Sequence, residues 1–382
     1  MNRHLTTGLL VGTSVTALVI GTAWAVTGTD DGVPTAAPGP AVTATVTVEA
    51  SAPPPTVVTP GTPAGDDPTA TYVPELSGEL PSGDPVTCPA ETVVVGDADE
   101  LTAALAAAQP GDTIRLEDAT YSGNFIAAAV GTAEQPIFLC GGPDAVLDGG
   151  DVEEGYVMQL DGAAYWRLVG FTVRNGQKGV MADATTQSVL QGLVVEEIGD
   201  EAIHLRTQST HNVVLDNTIR DTGNRRDEYG EGVYVGTAES NWAEYNDGEV
   251  DRSDYNLVQG NDIADTGSES VDIKEGTTGG AVVGNTFDGE GMSGADSWVD
   301  IKGSGWLIAG NTGRNSPGEG FQTHHILDDW GSDNVFTGNV SDPGTDGEDF
   351  YIHDPDETDN EVRCDNTLST GDAIASNVDC TS

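Results

Sequence analysis

The chain has 382 residues, with 63 Asp and Glu against 14 Lys and Arg, so its formal net charge at pH 7 is -49. Nucleic acids and anionic membrane surfaces both require a basic footprint, so the composition argues against nucleic-acid binding and against membrane binding by the folded domain. A dense acidic surface instead attracts Ca²⁺, which prefers hard oxygen ligands.

The first 26 residues predict an export segment. Arg3 precedes a mostly apolar stretch from Leu9 to Val26, and Ala23-Trp24-Ala25 has the small-x-small pattern of a cleavage site. The segment is therefore either a signal peptide or an N-terminal membrane anchor, because it is nearly long enough to span a bilayer. In both cases the rest of the chain is expected to be extracellular, either secreted or tethered to the cell surface.

Residues 27–87 are largely Pro, Thr, Ala, Gly and Val, a composition that predicts a disordered linker. The folded domain is then expected at residues 88–382. Its four cysteines are expected to form two disulfides, Cys88 with Cys140 and Cys364 with Cys380, because an even number of cysteines in an exported chain is typical of disulfides. We expect this domain to be a monomer.

The folded domain begins with a predicted helix and continues as a repeat. Leu101 and Leu105 fall on one face of an amphipathic segment, which Pro110-Gly111 ends. Asparagines in similar contexts then recur at spacings of 44, 24, 26, 28 and 27 residues, at Asn217, Asn261, Asn285, Asn311, Asn339 and Asn366. Stacked asparagines in a turn can hydrogen-bond from coil to coil. The pattern predicts an all-β fold: a single-stranded right-handed parallel β-helix, or solenoid, with a short N-terminal capping helix.

A second column of segments fixes the register of the repeat. Segments of alternating polarity align at residues 179–182, 202–205, 232–235, 270–273, 298–301 and 349–352, with residues 320–323 fitting less cleanly. Their Val, Ile, Leu and Phe side chains should point inwards and the intervening residues outwards. The double-length step between Asn217 and Asn261 predicts an insertion within residues 237–255, where Trp242 and Tyr245 are candidates to wall a groove.

This register predicts which side chains share the outer face of one sheet. The first outward column is Met181, His204, Tyr234, Asp272, Asp300, Gln322 and Tyr351. The second column is Asp183, Arg206, Gly236, Lys274, Lys302, His324 and His353. Acidic residues precede the strands at Glu201, Glu231, Glu269, Glu319 and Glu348.

Two identical Val-Asp-Ile-Lys segments make Lys274 and Lys302 neighbours on adjacent coils, roughly 4.8 Å apart. Two ammonium groups held side by side repel each other, so we expect the pKa of one lysine to be lowered. A lysine with a lowered pKa is a competent general base.

The sequence also resembles a family at two places. Residues 100–105 and 108–114 are similar to the start of chondroitinase B and alginate-lyase-type β-helix polysaccharide lyases. Residues 269–274, followed by Gly284-Asn285-Thr286-Phe287, are similar to the core motif of that family. The resemblance implies that Glu269 is a Ca²⁺ ligand and Lys274 the base. The family has an arginine about one coil later, where this chain has Lys302, and Gly267 replaces an acid that the family carries before the glutamate.

These observations lead to a hypothesis of a Ca²⁺-assisted lyase that cleaves an acidic uronate polysaccharide by β-elimination. The candidate catalytic residues are Lys274, Lys302, Arg206 and His324. The candidate substrate-binding residues are His204, Tyr234, Trp298, His353 and Gln322. The candidate metal ligands are Glu269, Asp272, Glu231 and Asp300.

Two other functions stay open at this point. Asp272 and Asp300, one coil apart, have the spacing of the paired carboxylates in a retaining glycoside hydrolase. A non-catalytic β-helix displayed on the cell surface, as a glycan-binding protein or adhesin, would use aromatic residues such as Trp298, Tyr234 and Trp242 to stack on sugars.

Overall fold

The computed structural model describes residues 80–382, so the predictions for residues 1–26 and most of the 27–87 linker lie outside the described residues. Within the described part of the chain, no helix is long and apolar enough to cross a membrane. Apart from 3-10 turns at Asp227–Tyr229 and Glu239–Asn241, the regular elements are two short helices and 29 short strands.

The elements follow one another in this order: β1 (Val93–Val95), α1 (Ala98–Ala107), β2 (Thr113–Leu116), β3 (Thr120–Ser122), β4 (Phe125–Ala127), β5 (Ile137–Cys140), β6 (Val146–Asp148), β7 (Tyr156–Asp161), β8 (Trp166–Val169), β9 (Thr172–Arg174), β10 (Lys178–Asp183), β11 (Val189–Gln191), β12 (Val194–Glu196), β13 (Ile203–Arg206), β14 (Val213–Leu215), β15 (Thr218–Ile219), β16 (Val233–Val235), α2 (Trp242–Tyr245), β17 (Leu257–Gln259), β18 (Asp262–Ala264), β19 (Val271–Ile273), β20 (Ala281–Val283), β21 (Thr286–Asp288), β22 (Val299–Ile301), β23 (Leu307–Ala309), β24 (Thr312–Arg314), β25 (Phe321–Thr323), β26 (Val335–Thr337), β27 (Val340–Asp342), β28 (Phe350–Ile352) and β29 (Glu361–Val362).

The strands form three parallel sheets that wind into a β-solenoid of about ten turns, which confirms the right-handed parallel β-helix. Sheet A contains β1, β2 and every third strand from β5 to β29; sheet B runs from β3 to β27 and sheet C from β4 to β28 in the same way. Each coil contributes one strand to each sheet, so residues about 25 positions apart become direct neighbours.

The core is a set of stacked apolar columns inside the coils. In sheet A the inward column is fully or almost fully buried and comprises Ile114, Leu139, Leu168, Leu190, Val214, Val258, Val282, Ile308, Phe336 and Val362. Helix α1 buries Leu101 and Leu105 and packs against β1, β3 and β4, the first strands of the three sheets. Asp97 starts this helix by accepting a hydrogen bond from the Glu100 amide at 2.9 Å.

The predicted asparagine column forms a continuous hydrogen-bonded ladder at the turn between sheets A and B. Asn285 Oδ1 accepts bonds from both the backbone amide and Nδ2 of Asn261, each at 2.9 Å, while Asn285 bonds in the same way to Asn311. The ladder continues upstream where the Leu193 amide donates to Asn217 at 2.9 Å. Each asparagine thus satisfies buried backbone groups that no regular strand pairing reaches.

A second set of asparagines supports the opposite end of sheet A and escaped the sequence pattern. The amide of Asn212 donates to Asn256 Oδ1 at 2.9 Å, and that of Trp306 donates to Asn334 Oδ1 at 2.8 Å. The coils between Asn256 and Asn334 carry Gly280 and Trp306 at this position, so the asparagines do not recur regularly enough to be seen in the sequence.

Residues 80–88 run along the outer face of sheet A, across its coils. Gln191 exchanges two hydrogen bonds with the backbone of Val86, and Gln259 Nε2 donates to Gly83 O at 3.2 Å. Leu80 and Val86 pack on outward apolar side chains of the sheet. The predicted disulfides are confirmed: Cys88–Cys140 ties this segment to β5, and Cys364–Cys380 ties together the last coils.

The ladder yields a prediction for stability. Replacing Asn285 by Ala removes its amide group from the ladder and leaves the buried Asn261 amide and Val258 carbonyl of the preceding coil without partners, which should destabilise the protein by about 2–4 kcal/mol. Asn124→Ala, at an exposed position, should change stability by less than about 0.5 kcal/mol. Thermal and urea unfolding of both variants measure the difference, and equal midpoints would contradict a structural role for the ladder.

Candidate functional site

The outward face of sheet C carries the site, and the strand register brings its residues together as the sequence predicts. His204, Tyr234, Asp272, Asp300, Gln322 and Tyr351 are direct neighbours along β13, β16, β19, β22, β25 and β28. The second column follows the ends of the strands: the amides of Lys274 and Lys302 donate to Val235 O at 2.8 Å and Ile273 O at 2.7 Å. These backbone bonds fix where both lysine side chains start.

Two lysines and two aspartates form one ion-pair cluster on adjacent coils. Lys274 Nζ lies 2.5 Å from Asp272 Oδ2, and Lys302 Nζ lies 2.9 Å from Asp272 Oδ1 and 2.5 Å from Asp300 Oδ2. Asp272 is 1% exposed, and its buried carboxylate contacts both ammonium groups. Opposite charges therefore alternate along this face of sheet C, and each ammonium group is in contact with at least one carboxylate.

The prediction that one lysine has a lowered pKa is wrong. Burial would lower the pKa of Lys274, but the charge of Asp272 and its hydrogen bond outweigh burial, and the pKa of Lys274 is raised. The pKa of Lys302 is raised for the same reason, with Asp272 and Asp300 outweighing both burial and the repulsion from Lys274. Both lysines are therefore ammonium groups in the resting protein.

Three carboxylates converge beside this cluster. Glu231, Glu269 and Asp272 each offer an oxygen, and these oxygens lie within 4.8 Å of one another. Glu231 is 4% exposed, and its Oε2 is buried without a hydrogen-bond partner. We call these three residues the carboxylate triad.

The three carboxylates of the triad carry like charges and repel one another. Burial and then the charges of Glu201 and Asp272 raise the pKa of Glu231 well above its usual range. Burial and the charge of Asp272 raise the pKa of Glu269 to about 7. Buried carboxylates with raised pKa values, one of them with an unpartnered oxygen, fit a cation that would hold them together in the ionised form.

The donor set of the triad suits Ca²⁺, which takes 6–8 oxygen ligands and accepts some of them from water or a bound anion. All three residues are among the predicted ligands. The fourth predicted ligand, Asp300, is not in this group of converging oxygens: its Oδ2 is paired with Lys302, and its Oδ1 is buried without a hydrogen-bond partner. Asp300 therefore belongs to the ion-pair cluster, and its role as a cation ligand stays a prediction.

The coils before the triad carry an ion pair that the sequence pattern did not single out. Lys178, the remaining lysine of the chain, pairs with Glu201 of the next coil, in the column that precedes the strands. His204 Nε2 donates to Gly236 O at 2.9 Å, and its Nδ1 lies 3.5 Å from Glu201 Oε1. Burial raises the pKa of Glu201, but the bond to His204 and the charge of Lys178 outweigh it, so the pKa of Glu201 is lowered. The three lysines of the chain thus all face this groove.

Arg206 lies on the same face but away from the lysines. Its Nε donates to Asp183 at 2.7 Å, and its guanidinium lies 4.1 Å from the ring centre of Tyr245. In the second column, Gly236 occupies the coil between Arg206 and Lys274, with φ at +89°, and a Cβ there would meet Thr277 at 2.7 Å. The coil of Gly236, which has no side chain in this column, therefore separates Arg206 from the ion-pair cluster.

The coils after the cluster carry the histidines. His324 and His353 stack with ring centres 4.1 Å apart, and His324 Nε2 lies 3.1 Å from Gln322 Oε1 and 3.6 Å from Asp300 Oδ2. Burial and the neighbouring imidazole and ammonium groups outweigh the charge of Asp300, so the pKa of His324 is lowered. The His324 imidazole is therefore available in its neutral form to bind polar groups.

The predicted insertion lies between β16 and β17 and contains helix α2. Asp251 anchors it: this carboxylate is fully buried and accepts hydrogen bonds from the amides of Thr207 and Gln208, both at 2.9 Å. Tyr245 of the insertion covers Arg206, so the insertion lines the groove at the carboxyl ends of the sheet C strands.

Comparison with known proteins came from solved structures, since no protein-family model and no curated protein matches the chain. An alginate lyase from Paenibacillus sp. str. FPU-7 is 32% identical, with a TM-score of 0.67, and the match covers 74% of this chain and 97% of that one. The pectate lyase Pel9A is 13% identical, with a TM-score of 0.50 and coverage of 77% of this chain and 82% of that one, and this likeness shows the shared fold.

The identity to the Paenibacillus enzyme over nearly its whole length decides the family. The chain belongs to the pectate-lyase-like β-helix polysaccharide lyases. It is thus a carbohydrate-active β-helix protein, and its candidate site lies on the sheet that carries the two Val-Asp-Ile-Lys segments.

The structure contradicts the predicted role of one candidate substrate-binding residue of this β-helix protein. Trp298 is completely buried: its ring packs edge-on against Phe321, with centres 5.7 Å apart, and its Nε1 donates to Arg314 O at 2.9 Å. It precedes β22 by one residue and turns into the core above Gly313, where a Cβ would come within 2.4 Å of the indole. Trp298 therefore stabilises the coil and contacts no ligand in the groove.

The buried ion-pair cluster yields a prediction for stability. Lys302→Met leaves Asp300 without its cation and Asp272 with one instead of two, which should destabilise the protein by about 3 kcal/mol. Arg314→Met, which removes an exposed ion pair with Asp288 on sheet B, should cost less than about 1 kcal/mol. Chemical denaturation near pH 7 compares the two, and an equal loss in both variants would contradict the account of Lys302.

Proposed function

We propose that the protein is an extracellular, Ca²⁺-assisted lyase that cleaves an acidic uronate polysaccharide by β-elimination, with Lys274 as the base. The observation that carries this proposal is the contact between Lys274 and Asp272, because Asp272 also belongs to the carboxylate triad. The side chain of Asp272 thus contacts the proposed base, Lys274, and also belongs to the candidate site for a carboxylate-binding cation. Alginate is the first polysaccharide to test, because the related Paenibacillus enzyme is an alginate lyase.

The triad is the feature that would receive the substrate carboxylate. A protein with a net charge of -49 repels a polyanion unless positive charge is concentrated locally. When bound by Glu231, Glu269 and Asp272, Ca²⁺ would supply charge that neutralises the uronate carboxylate and makes the neighbouring C5 proton more acidic.

The lysines would carry the proton transfers. Lys274 Nζ takes the proton from C5 of the uronate, the C5 electron pair forms the C4–C5 double bond, and the bond from C4 to the glycosidic oxygen breaks. Lys302, one coil away and held as an ammonium group by Asp272 and Asp300, is placed to stabilise the developing negative charge and to donate a proton to the leaving oxygen.

The raised pKa of Lys274 sets the expected pH dependence. An ammonium group cannot accept a proton, and Asp272 keeps Lys274 protonated at neutral pH. The fraction of free amine grows as pH rises toward that raised pKa, so the rate of a lysine-catalysed elimination should increase with pH in the alkaline range.

The ion pairs argue against a hydrolase that uses Asp272 and Asp300. Such an enzyme needs one carboxylic acid with a raised pKa to protonate the leaving oxygen. Burial raises the pKa of Asp272, but Lys274 and Lys302 outweigh burial and lower it, so Asp272 is held as a carboxylate. Its partner Asp300 is likewise in contact with Lys302.

Two disulfides support the extracellular part of the proposal. Such bonds form and persist in oxidising environments and are rare in reducing ones. A polysaccharide outside the cell is also the form of acidic glycan that an exported enzyme meets.

The proposal predicts loss of elimination in Lys274 variants. Lys274→Ala and Lys274→Arg should each lower kcat about a thousand-fold on alginate, because arginine keeps the charge beside Asp272 but does not give up its proton. The appearance of unsaturated uronate, followed by its ultraviolet absorption, measures the rate.

His211→Gln provides the control for these variants, because His211 packs against Tyr255 at the edge of sheet A and should leave the rate unchanged. Full activity in Lys274→Arg would show that Lys274 is not the base. Release of reducing ends without the ultraviolet chromophore would support hydrolysis instead.

A second prediction concerns the cation. Glu231→Gln should weaken Ca²⁺ binding at least about ten-fold, whereas Glu319→Gln, in the same column two coils beyond Glu269, should leave it unchanged. Because the pKa of Glu269 is raised to about 7, protons compete with the cation, so affinity should fall as pH decreases below 7. Calorimetric titration with calcium chloride at pH 6 and pH 8 measures both effects, and equal losses in the two variants would contradict the triad.

A further inference from the structure

Cationic side chains are unevenly distributed along the groove. Before the triad, the coils from β10 to β16 carry Lys178, Arg206, Arg225 and Arg226, in addition to Arg220 on sheet B. After Lys302 the sequence contains only Arg314, which ends β24 in sheet B, and Arg363, which follows β29 in sheet A. Arg252 of the insertion lies over the ring of Trp330, 4.8 Å from its centre. No strand of sheet C carries an arginine or lysine after β22, so the cationic side chains of the sheet C column lie at the triad and on its N-terminal side.

One arginine on the N-terminal side of the triad is only loosely paired with a carboxylate. The loop between β15 and β16 places Arg225 and Arg226 around a single carboxylate, that of Asp200. Arg225 binds Asp200 through Nε at 3.0 Å and also through Nη2, whereas Arg226 Nη2 remains 3.7 Å away. The side chain of Arg226 is 44% exposed, so its guanidinium is accessible to a second anion.

Arg226 is also held in place by an aromatic ring. Its guanidinium lies 4.0 Å from the ring centre of Tyr229, and Tyr229 is 42% exposed. Stacking on an aromatic face orients a guanidinium and reduces the freedom that it loses when it binds a carboxylate. This pair lies just before β16, at the amino ends of the sheet C strands.

A second arginine–tyrosine pair lies at the opposite edge of the same coils. Arg206 ends β13, and Tyr245 of the insertion that follows β16 covers it at 4.1 Å while remaining 38% exposed. Because the strands are parallel, the loop before β16 and the insertion after it flank sheet C from its two edges. Gly236 has no side chain, so the floor between the two pairs is left to His204 and Tyr234.

We propose that the coils of β13 and β16 form a uronate-binding subsite, in which Arg226 binds a sugar carboxylate and Tyr229 and Tyr245 flank the sugar. This inference rests on the proposed function, since it takes the substrate to be an acidic polysaccharide. It adds a direction: the anionic chain extends from the triad toward the N-terminal coils. A guanidinium matches the planar geometry of a carboxylate and discriminates it from a neutral group.

The test measures binding to the full chain carrying Lys274→Met, which prevents cleavage during the measurement. The probes are alginate hexamers, polygalacturonate hexamers and carboxyl-reduced alginate hexamers, which present an alcohol in place of each carboxylate. Arg226→Ala should weaken binding of the better acidic hexamer about ten-fold, and Tyr229→Ala and Tyr245→Ala about three-fold each. The carboxyl-reduced hexamer should bind more weakly than its acidic parent and should be insensitive to Arg226→Ala.

Arg220→Ala is the matched control, because Arg220 is an equally exposed arginine that pairs with Glu196 on sheet B, away from the groove. Its affinity should equal that of the parent. Equal affinities in Arg226→Ala and Arg220→Ala, or loss of carboxyl-reduced and acidic hexamers alike, would overturn the subsite. So would failure of both acidic hexamers to bind.

The subsite and the lyase proposal fail in different ways. If the wild-type chain binds an acidic hexamer through Arg226 but produces no unsaturated uronate, the lyase proposal fails and the subsite stands. If the wild-type chain cleaves alginate and the Arg226, Tyr229 and Tyr245 variants bind as the parent does, the subsite fails and the lyase proposal stands.

Discussion

The parallel pairing of each coil with the next is the constraint on which the rest of this structure depends. It brings residues about 25 positions apart in the sequence to within about 5 Å of each other, and it does so for every position of the coil at once. The asparagine ladder fixes that pairing, since Asn217, Asn261 and Asn285 each bond to the coil above through both backbone and side chain. A slip by one residue would turn the apolar columns outwards and break the ladder.

The same constraint creates an electrostatic problem on sheet C, because a charge in one coil is forced against the residue at that position in the next. Asp272 lies directly beside Asp300, and Lys274 follows one while Lys302 follows the other. The lysines resolve the repulsion by contacting both aspartates, with Lys302 reaching back to the previous coil. The carboxylate triad has no such partner for Glu231, whose pKa is raised as a consequence. The ionised form of Glu231 is therefore unfavourable unless a cation is bound beside it.

The register explains why much of this site could be predicted from the sequence. Outward positions follow from alternation and spacing, which is enough to place Asp272, Asp300, Lys274 and Lys302 on adjacent coils. The sequence does not say which carboxylate each ammonium group contacts, and that choice decides the sign of the pKa shift. Repulsion between two lysines predicts a lowered pKa, but the two buried aspartates between them outweigh it.

Other features depend on single side chains at the ends of strands, where alternation no longer determines direction. Trp298 precedes β22 and turns inwards because Gly313 leaves room for its indole, a complementarity between coils that no local pattern contains. Lys178 pairs with Glu201 across one coil, but it occupies the column where later coils carry acids, so it does not match the pattern that identifies the others. The loop with Arg225 and Arg226 interrupts the repeat altogether.

The overall charge of the chain gives these local arrangements their meaning. With a formal charge of -49, most of the surface repels an acidic polysaccharide, and binding is possible only where positive charge is concentrated. The cationic side chains are arranged along one face: all three lysines face sheet C, each paired with a carboxylate, and the exposed Arg226 lies beside the coils that precede the triad. Under the proposed function, a polyanion that meets repulsion elsewhere would be confined to this face. Selectivity for an acidic chain would then follow from the contrast between the groove and its surroundings as much as from any one contact.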